Sequence, residues 1–241
     1  ESRKEKGIAM PNDMVVKTIV TTDMIDKIAA AKGVKCYNVL TGFKWIAELI
    51  REKEGEENYI IGGEESYGLM IGAQIRDKDA ISAVALLCEM AAYEKNKGRT
   101  LYEKLLDLYV QYDCYQEGLL SITRKGMNGQ QEIAEMMESY RQNPPAALAG
   151  RKVVQLLDYQ QQVATVLNTG NRSPIHLPKS NVLQFLLEDG SKISARPSGT
   201  EPKIKFYFSV KAPLASPAEY KKVQGVLEKK IKDIISDMGL N

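Results

Sequence analysis

Histidine and cysteine, the residues that most often build metal and redox sites, are scarce in this sequence. The only histidine among the 241 residues is His176, which argues against a histidine-based catalytic triad or a histidine-rich metal site. The three cysteines, Cys36, Cys88 and Cys114, are widely spaced, and they match neither a zinc site nor a redox pair. We therefore expect reduced thiols in the core and no metal site within this chain.

A charge excess of one sign and a long apolar run are also missing. Lysine and arginine total 33 against 31 acidic residues, so the net charge of +2 gives no general electrostatic reason to bind nucleic acid or a membrane. No apolar stretch approaches the length of a membrane span, and the basic start ESRKEKG is not followed by the apolar region of a signal peptide. With 44% hydrophobic and 27% charged residues, the composition is that of a soluble globular protein, which we expect in the cytoplasm.

Strand and helix patterns alternate over roughly the first 145 residues. The β-branched run at 15–20, for example, is followed by Thr21-Thr22-Asp23, which can cap a helix, and that helix ends near Gly33. Such alternation predicts a mainly parallel sheet with its ligand-binding loops at the carboxyl ends of the strands. The predicted elements are strands at 15–20, 34–40, 59–61 and 115–123 and helices at 23–33, 43–52, 79–97, 101–112 and 128–142.

A second pattern begins after the paired prolines Pro144 and Pro145. Paired prolines cannot continue a helix, so we place a domain boundary there. The fold class predicted is α/β: a mainly parallel α/β domain at 1–145, then a smaller α+β domain at 146–241 with an antiparallel sheet. No structure is assigned to 160–179. The predicted elements of the second domain are strands at 152–159, 182–188, 192–195 and 203–210, a hairpin turn at Asp189-Gly190, and a final helix that starts near Ser216.

The segment Ala195–Pro202, between two of these strands, is a candidate phosphate site. Its arginine offers a planar fork for two phosphate oxygens, its hydroxyls are neutral donors, and its glycine allows backbone amides to form an anion-binding nest. From composition alone, a solvated surface turn is the more common interpretation of such a segment. The candidate phosphate-binding residues are Arg196, Ser198, Gly199 and Thr200, with Lys205 on the next strand as a further positive charge.

Two earlier loops carry polar groups at the carboxyl ends of strands. The loop Gly62–Gly68 holds two adjacent carboxylates and a hydroxyl, which can bind sugar hydroxyls or a metal, or act in acid–base catalysis. The loop Thr41–Lys44 opens a helix, where backbone donors favour an anion and Lys44 adds positive charge. Taken singly, each loop is more often only a solvated surface feature.

Together and in this order, the motifs TGFK, GEESYG and RPSGTEP resemble those of the α-D-phosphohexomutases, the family of phosphoglucomutases and phosphomannomutases. The resemblance implies that 1–145 corresponds to the family's third domain and 146–241 to its fourth. Members of the family are isomerases of the intramolecular phosphotransferase type, which use an enzyme phosphoserine and a bisphosphate intermediate. No segment here matches the phosphoserine loop or the aspartate-rich magnesium loop of the first two domains. A start at Glu1 without an initiator methionine likewise suggests a fragment, which we expect to be inactive alone.

The resemblance also implies roles for single residues. Lys44 matches a catalytic family lysine near the reacting hydroxyl, and Glu64 and Ser66 match residues that select the sugar by hydrogen bonding to its hydroxyls. The candidate residues of Ala195–Pro202 would clamp the phosphate that is not being transferred, with Lys205 as a weaker candidate.

Cofactors and partners follow from the same resemblance. The full-length enzyme would use Mg²⁺, with ligands outside this chain, and glucose 1,6-bisphosphate as intermediate or activator. The partners would be a hexose phosphate and the N-terminal domains of the same chain, and neither nucleic acid nor a membrane.

The preferred sugar follows less directly, because Glu65 stands where bacterial members of dual specificity often carry methionine and glucosamine-specific relatives carry glutamine. Glucose 1-phosphate is therefore the first choice of substrate, mannose phosphates the second and pentose phosphates the third. A stand-alone sugar-phosphate binding module and a structural or interaction protein are the alternatives.

Overall fold

In the computed structural model, which describes residues 2–124, 126 and 128–240, the chain divides into two units, Glu1–Asp113 and Cys114–Asn241. Among the described residues, no helix is both long enough and apolar enough to cross a membrane. The elements of the first unit are α1 (Ser2–Glu5), β1 (Asp13–Thr18), α2 (Met24–Lys32), β2 (Lys35–Val39), α3 (Phe43–Glu52), β3 (Asn58–Glu64), β4 (Gly68–Ile71), α4 (Ala80–Asn96) and α5 (Leu101–Tyr112).

The sheet of the first unit has the strand order β2-β1-β3-β4. Strand β1 runs parallel to both β2 and β3, which confirms the predicted parallel sheet, while β4 pairs antiparallel with β3. Strand β4 was not predicted, because it has only four residues and its glycine start reads as part of the preceding loop. The loop Gly62–Gly68 is therefore the end of β3 and a hairpin turn, rather than a connection to a helix.

Helix α3 shows how the apolar pattern forms the core of the first unit. Phe43, Ile46 and Ile50 recur at helical spacing and are buried against the sheet residues Met14 and Val16. Burying a side chain of this kind stabilises the fold by about 1.5–3 kcal/mol. The bounds of α3 agree with the predicted helix at 43–52 because the apolar period and the glycine before it are both local signals.

The cysteines differ in part from the expectation of core thiols. Cys114 is buried and Cys36 is half-buried, but Cys88 is exposed on α4. It lies on a helix face where Ile81 and Val84 are also exposed, so the apolar stripe predicted for this helix does not face the core of the first unit.

An antiparallel sheet dominates the second unit. Its path is β5-β12-β11-β10-β7-β8-β9, with β6 paired to β7, and each paired neighbour is antiparallel. Strands β8 and β9 lie in 160–179, which had no predicted structure. The elements are β5 (Cys114–Thr123), α6 (Gly129–Gln142), β6 (Ala147–Leu148), β7 (Arg151–Asp158), β8 (Val163–Val166), β9 (Arg172–Pro174), β10 (Leu183–Leu187), β11 (Lys192–Pro197), β12 (Lys203–Ala212), a 3-10 turn (Pro217–Glu219) and α7 (Tyr220–Asp237).

Helices α6 and α7 cover the apolar face of this sheet. The ring of Tyr140 on α6 contacts Phe185 and Phe206 edge to face, with ring centroids 5.8 and 6.3 Å apart. On α7, Ile231 approaches Gly118 of β5 so closely that an added Cβ would lie 3.2 Å from its side chain. The core of the second unit therefore includes elements from both ends of its sequence.

The division at Asp113 differs from the boundary predicted after Pro145. Strand β5, which precedes both prolines, pairs with β12 along ten residue pairs and so belongs to the antiparallel sheet. Pro144 and Pro145 lie between α6 and β6, inside the second unit. The prolines end a helix, as predicted, but a helix end need not be a domain boundary when the strand before it pairs with one much later in the chain.

Candidate functional site

The carboxyl ends of three parallel strands meet at one edge of the first unit's sheet. Strand β1 ends at Thr18, β2 is followed by Thr41 and Gly42, and β3 ends at Glu64. Because parallel strands end on the same side, two of the sequence-predicted loops are brought to this edge. Hydrogen bonds join the three strand ends directly.

The turn between β3 and β4, residues Glu64–Gly68, is called the sugar turn below, after the role that the family resemblance implies for Glu64 and Ser66. Glu64 is paired with Gly68, and Glu65, Ser66 and Tyr67 form an exposed tip. Tyr67 has a φ of 60°, so the tip ends in the left-handed residue that is common in three-residue hairpin turns.

The glycines around the sugar turn are required by close packing. A Cβ added to Gly62 would lie 2.4 Å from the carbonyl oxygen of Val16, and one added to Gly68 would lie 2.4 Å from the ring of Phe43. Neither neighbour can move away easily, since one is backbone in a paired strand and the other is a buried ring. The two glycines that bound the predicted loop thus lie in a tightly packed strand end and hairpin.

Glu64 is held at the N-terminus of α3. Its Oε1 accepts a hydrogen bond of 2.5 Å from the amide of Gly42, which precedes the helix. The anion at this helix start is therefore the Glu64 carboxylate, where the sequence had suggested a bound ligand. Lys44 is the second residue of the same helix; its side chain is exposed, with Nζ 4.6 Å from the centre of the Trp45 ring.

Glu65 reaches back to the end of β1. Its Oε2 lies 3.1 Å from the hydroxyl of Thr21 and 3.3 Å from that of Thr18, and the two hydroxyls are 2.9 Å apart. These threonines were not predicted from the sequence as site residues, because the contact spans more than 40 residues and depends on strand order.

Lys17 of β1, which was not predicted as a site residue either, is a buried lysine that contacts the backbone of Thr21. Its side chain is 1% exposed, and its ammonium donates to the carbonyl oxygen of Thr21 at 3.1 Å. Ion pairs of 3.1 Å to Asp23 and 3.0 Å to Asp26 neutralise the buried charge. A lysine inside the run MVVKTIV was the one sequence signal, since a charged residue in a β-branched buried strand is unusual.

The thiol of Cys36 lies next to this cluster, close to Asp26. Burial, with the negative charge of Asp26 as a second cause, raises the pKa of Cys36 to about 12. The group therefore stays protonated at neutral pH, and a nucleophilic role is not supported.

The part of the chain that the structure describes contains no cluster of metal-ligating side chains. Among the described residues, no group of three or more histidine, cysteine, aspartate or glutamate side chains is arranged to hold a metal ion. The carboxylates nearest the sugar turn are engaged with protein donors, Glu64 with Gly42 and Glu65 with the threonine hydroxyls.

In the second unit, the predicted phosphate-binding segment connects β11 and β12. Arg196 and Lys205 are directly opposite each other in the antiparallel register, so their side chains leave the same face of the sheet. Opposite Cβ atoms in such a pair are about 4.5–5.5 Å apart. Both residues are half-buried, and the structure thus brings together the two positive charges that the sequence analysis named.

Ser198 closes the turn that follows. Its Oγ accepts hydrogen bonds from the amides of Thr200 and Glu201 at 3.4 and 3.3 Å, and its own amide donates to the carbonyl oxygen of Lys203 at 2.7 Å. The hydroxyl proton of Ser198 remains available to a ligand, because both amides use oxygen lone pairs. Thr200 and Gly199 are exposed at the tip.

Gly199 does not build the predicted nest. Its φ is not in the left-handed region, and an added Cβ would meet no atom within 4 Å. The nearby amides of Thr200 and Glu201 point at Ser198 instead, so the donors of this loop are side chains rather than a backbone cradle.

Arg124, at the end of β5, is a positive residue beside this loop that the sequence analysis missed. Its amide donates to the carbonyl oxygen of Pro202 at 2.9 Å, and its Nε lies 3.7 Å from the Glu132 carboxylate. Only the pairing of β5 with β12 places it there, and the expected boundary after Pro145 had assigned β5 to the other domain.

Family models of known proteins match parts of both units of this chain. The family model described as phosphoglucomutase/phosphomannomutase, alpha/beta/alpha domain III, matches residues 1–112, and the model of the family's C-terminal domain matches residues 134–222. A phosphoglucomutase of Staphylococcus aureus (strain MRSA252) is 38% identical over 200 residues, which is 83% of this chain and 36% of that protein. A Staphylococcus epidermidis phosphoglucomutase is 39% identical over 201 residues, or 83% of this chain and 37% of that protein.

Solved structures show the same fold. Parafusin, a phosphoglucomutase from Paramecium, aligns with a TM-score of 0.60 and 23% identity over 93% of this chain and 38% of its own. A putative phosphomannomutase from Thermus thermophilus aligns with a TM-score of 0.54 and 19% identity over 94% of this chain and 38% of its own. The chain thus spans little more than a third of the length of the relatives it matches. It belongs to the phosphoglucomutase/phosphomannomutase family, of which it carries the third and the C-terminal domain.

Proposed function

We propose that this chain is part of a phosphohexomutase that interconverts glucose 1-phosphate and glucose 6-phosphate through an enzyme phosphoserine and a glucose 1,6-bisphosphate intermediate. Two staphylococcal relatives at 38% and 39% identity, both called phosphoglucomutase, support this substrate over mannose phosphates and pentose phosphates, which are the second and third choices. The phosphoserine and the Mg²⁺ ligands would belong to parts of the enzyme outside this chain. A cytoplasmic location stays a prediction.

Within this chain, the sugar turn would select the substrate. Glu64 keeps one carboxylate oxygen on the Gly42 amide, which orients the other oxygen to accept from vicinal sugar hydroxyls. Ser66, exposed at the tip, can donate to or accept from the same sugar. Lys44 at the start of α3 would neutralise charge on the reacting phosphate or move a proton at the sugar hydroxyl.

The placement of Arg196 opposite Lys205 is the observation that carries the phosphate clamp. Like charges directly opposite on antiparallel strands repel each other, so this pair is costly unless an anion lies between them. A phosphate can take the planar fork of the arginine and the point charge of the lysine at once. The hydroxyls of Ser198 and Thr200 would complete the clamp from the turn.

Calorimetric titration with glucose 1,6-bisphosphate tests the clamp. We expect the chain to bind the ligand and Arg196→Ala to weaken binding by about 1.5–3 kcal/mol, the usual contribution of a hydrogen bond to a charged group. Arg172→Ala is the matched control, because Arg172 is an exposed arginine of β9 in the same unit, and it should bind normally. Equal loss in both variants, or no binding by the unsubstituted chain, would contradict the proposal.

A further inference from the structure

We propose that Glu65 is a positioning residue that holds the sugar turn in place through a relay of threonine hydroxyls at the end of β1. The inference rests on the proposed function, since it concerns the residues assigned there to sugar selection. It gives position 65 an effect on substrate affinity without direct contact between Glu65 and the sugar.

The number of protons and the distances together indicate the direction of the hydrogen bonds. Two hydroxyl protons cannot serve all three contacts among Thr18, Thr21 and Glu65. The two shorter distances form a chain in which Thr18 donates to Thr21 at 2.9 Å and Thr21 donates to the Glu65 carboxylate at 3.1 Å. The amide of Val20, 3.4 Å from the Thr18 oxygen, supplies a donor at the start of the relay. Each donor then has an acceptor, and Thr21 is the residue that holds Glu65.

The relay is attached to a rigid part of the unit. Thr18 is 0% and Thr21 8% exposed, and both are β-branched residues with restricted side-chain rotation. The carbonyl oxygen of Thr21 is bound by the ammonium of Lys17, which is itself clamped between Asp23 and Asp26. A hydroxyl fixed in this way presents its proton in one direction, so it can set the position of an otherwise exposed carboxylate.

The sugar turn is therefore held at two adjacent residues by two different strand ends. Glu64 is bound to Gly42 after β2, and Glu65 is bound to Thr21 after β1. With one tether the exposed tip at 65–67 can move relative to the paired residues Glu64 and Gly68, and with two its orientation is defined. The remaining tip residue with a hydroxyl, Ser66, then meets the sugar in a reproducible geometry, which is what selection between epimers requires.

Three substitutions separate the tether from the charge. Glu65→Met keeps the side-chain length but removes the acceptor, and Thr21→Val keeps the shape but removes the donor. We expect each to weaken binding of glucose 1,6-bisphosphate about tenfold, the size of one charge-assisted hydrogen bond. Glu65→Gln retains a carbonyl acceptor and should keep most of the affinity.

The affinity of the double variant Thr21→Val, Glu65→Met distinguishes this role from a general loss of stability. If Thr21 acts through Glu65, Thr21→Val costs affinity in the native background and nothing further in the Glu65→Met background. Glu52→Met, which replaces an exposed carboxylate on α3, is the matched control and should bind normally. Additive losses, or unchanged affinity in Glu65→Met, would overturn the inference while leaving the proposed function intact.

Amide hydrogen exchange without ligand provides a second measurement. The amides of residues 64–68 should exchange faster in Glu65→Met and in Thr21→Val than in the native chain. The double variant should exchange at the same rate as the single variants, and Glu52→Met at the native rate. Unchanged exchange in both single variants would also overturn the inference. If the unsubstituted chain does not bind the bisphosphate, the proposed function is contradicted, and the role of Glu65 in positioning the turn for a sugar is contradicted with it. This holds even if hydrogen exchange shows that Glu65 restrains the turn.

Discussion

Tyr67 occupies the left-handed position of the turn between β3 and β4, where a glycine would be less strained. Its φ of 60° lies in the left-handed region, which is unfavourable for a residue with a Cβ by roughly 1–2 kcal/mol. The ring is fully exposed and adds nothing to the core. At Gly68, the next residue, glycine is already present and is required, because a Cβ there would collide with the ring of Phe43.

Replacement of Tyr67 by glycine should therefore stabilise the chain. We expect Tyr67→Gly to raise the free energy of unfolding by up to about 1 kcal/mol, less than the strain alone because glycine gains entropy in the unfolded chain. Urea unfolding followed by circular dichroism measures the change. Gly68→Ala in the same turn should lower it instead, and a lowered value for Tyr67→Gly would contradict this account of the turn.

At the scale of elements, the hairpin of β10 and β11 is joined to α7 by one carboxylate. Asp189, in the predicted turn with Gly190, accepts hydrogen bonds from the side chain of Lys230 on α7 and from the amide of Ser191. Burial opposes ionisation of Asp189, but these donors outweigh it and lower its pKa below the usual 3.8. The ionised form is therefore favoured by folding.

This shift predicts how the stability depends on pH. A carboxyl group whose pKa is lowered in the folded state stabilises it above the unfolded pKa, and the stabilisation is lost as the pH falls through the folded pKa. Urea unfolding should show Asp189→Asn less stable than the native chain at pH 6, with the difference shrinking below about pH 4. Asp233→Asn, at an exposed ion pair on α7, is the control and should change stability little. A pH-independent difference for Asp189→Asn would contradict the assignment.

At the scale of the whole molecule, each unit has its own core. In the first, α3 packs on the sheet around Met14 and Ile46, and in the second, α6 and α7 pack on β5, β10 and β12. The sizes of both units fall within the usual range of domains that fold alone.

The division of the chain between Asp113 and Cys114 predicts which fragment can fold on its own. We expect residues 114–241 to unfold cooperatively in urea on their own, with tyrosine circular dichroism as the probe. A chain of residues 146–241 should lack a cooperative transition, because the loss of β5 and α6 exposes one edge of β12 and the rings of Phe185 and Phe206. If both fragments unfold with equal cooperativity, the second domain begins after Pro145 and not at Cys114.

The predictions that succeeded depend on neighbours in the chain. The bounds of α3 and the turn at Asp189-Gly190 both rest on residues a few positions apart. The motifs were enough to identify the family, since three short segments in a fixed order are specific. The predicted nest at Gly199 failed because a glycine permits a left-handed conformation without imposing it.

Local patterns were thus sufficient for the family, the fold class and most elements, because hydrophobic period, capping and turn chemistry act over short distances along the chain. The arrangement of the candidate sites required the folded chain. The contact of Glu64 with Gly42, the attachment of Glu65 to Thr21 and the opposition of Arg196 and Lys205 each depend on strand order and register. A shift of one residue in register turns a side chain to the other face of its sheet, and nothing in a local pattern shows which register the fold adopts.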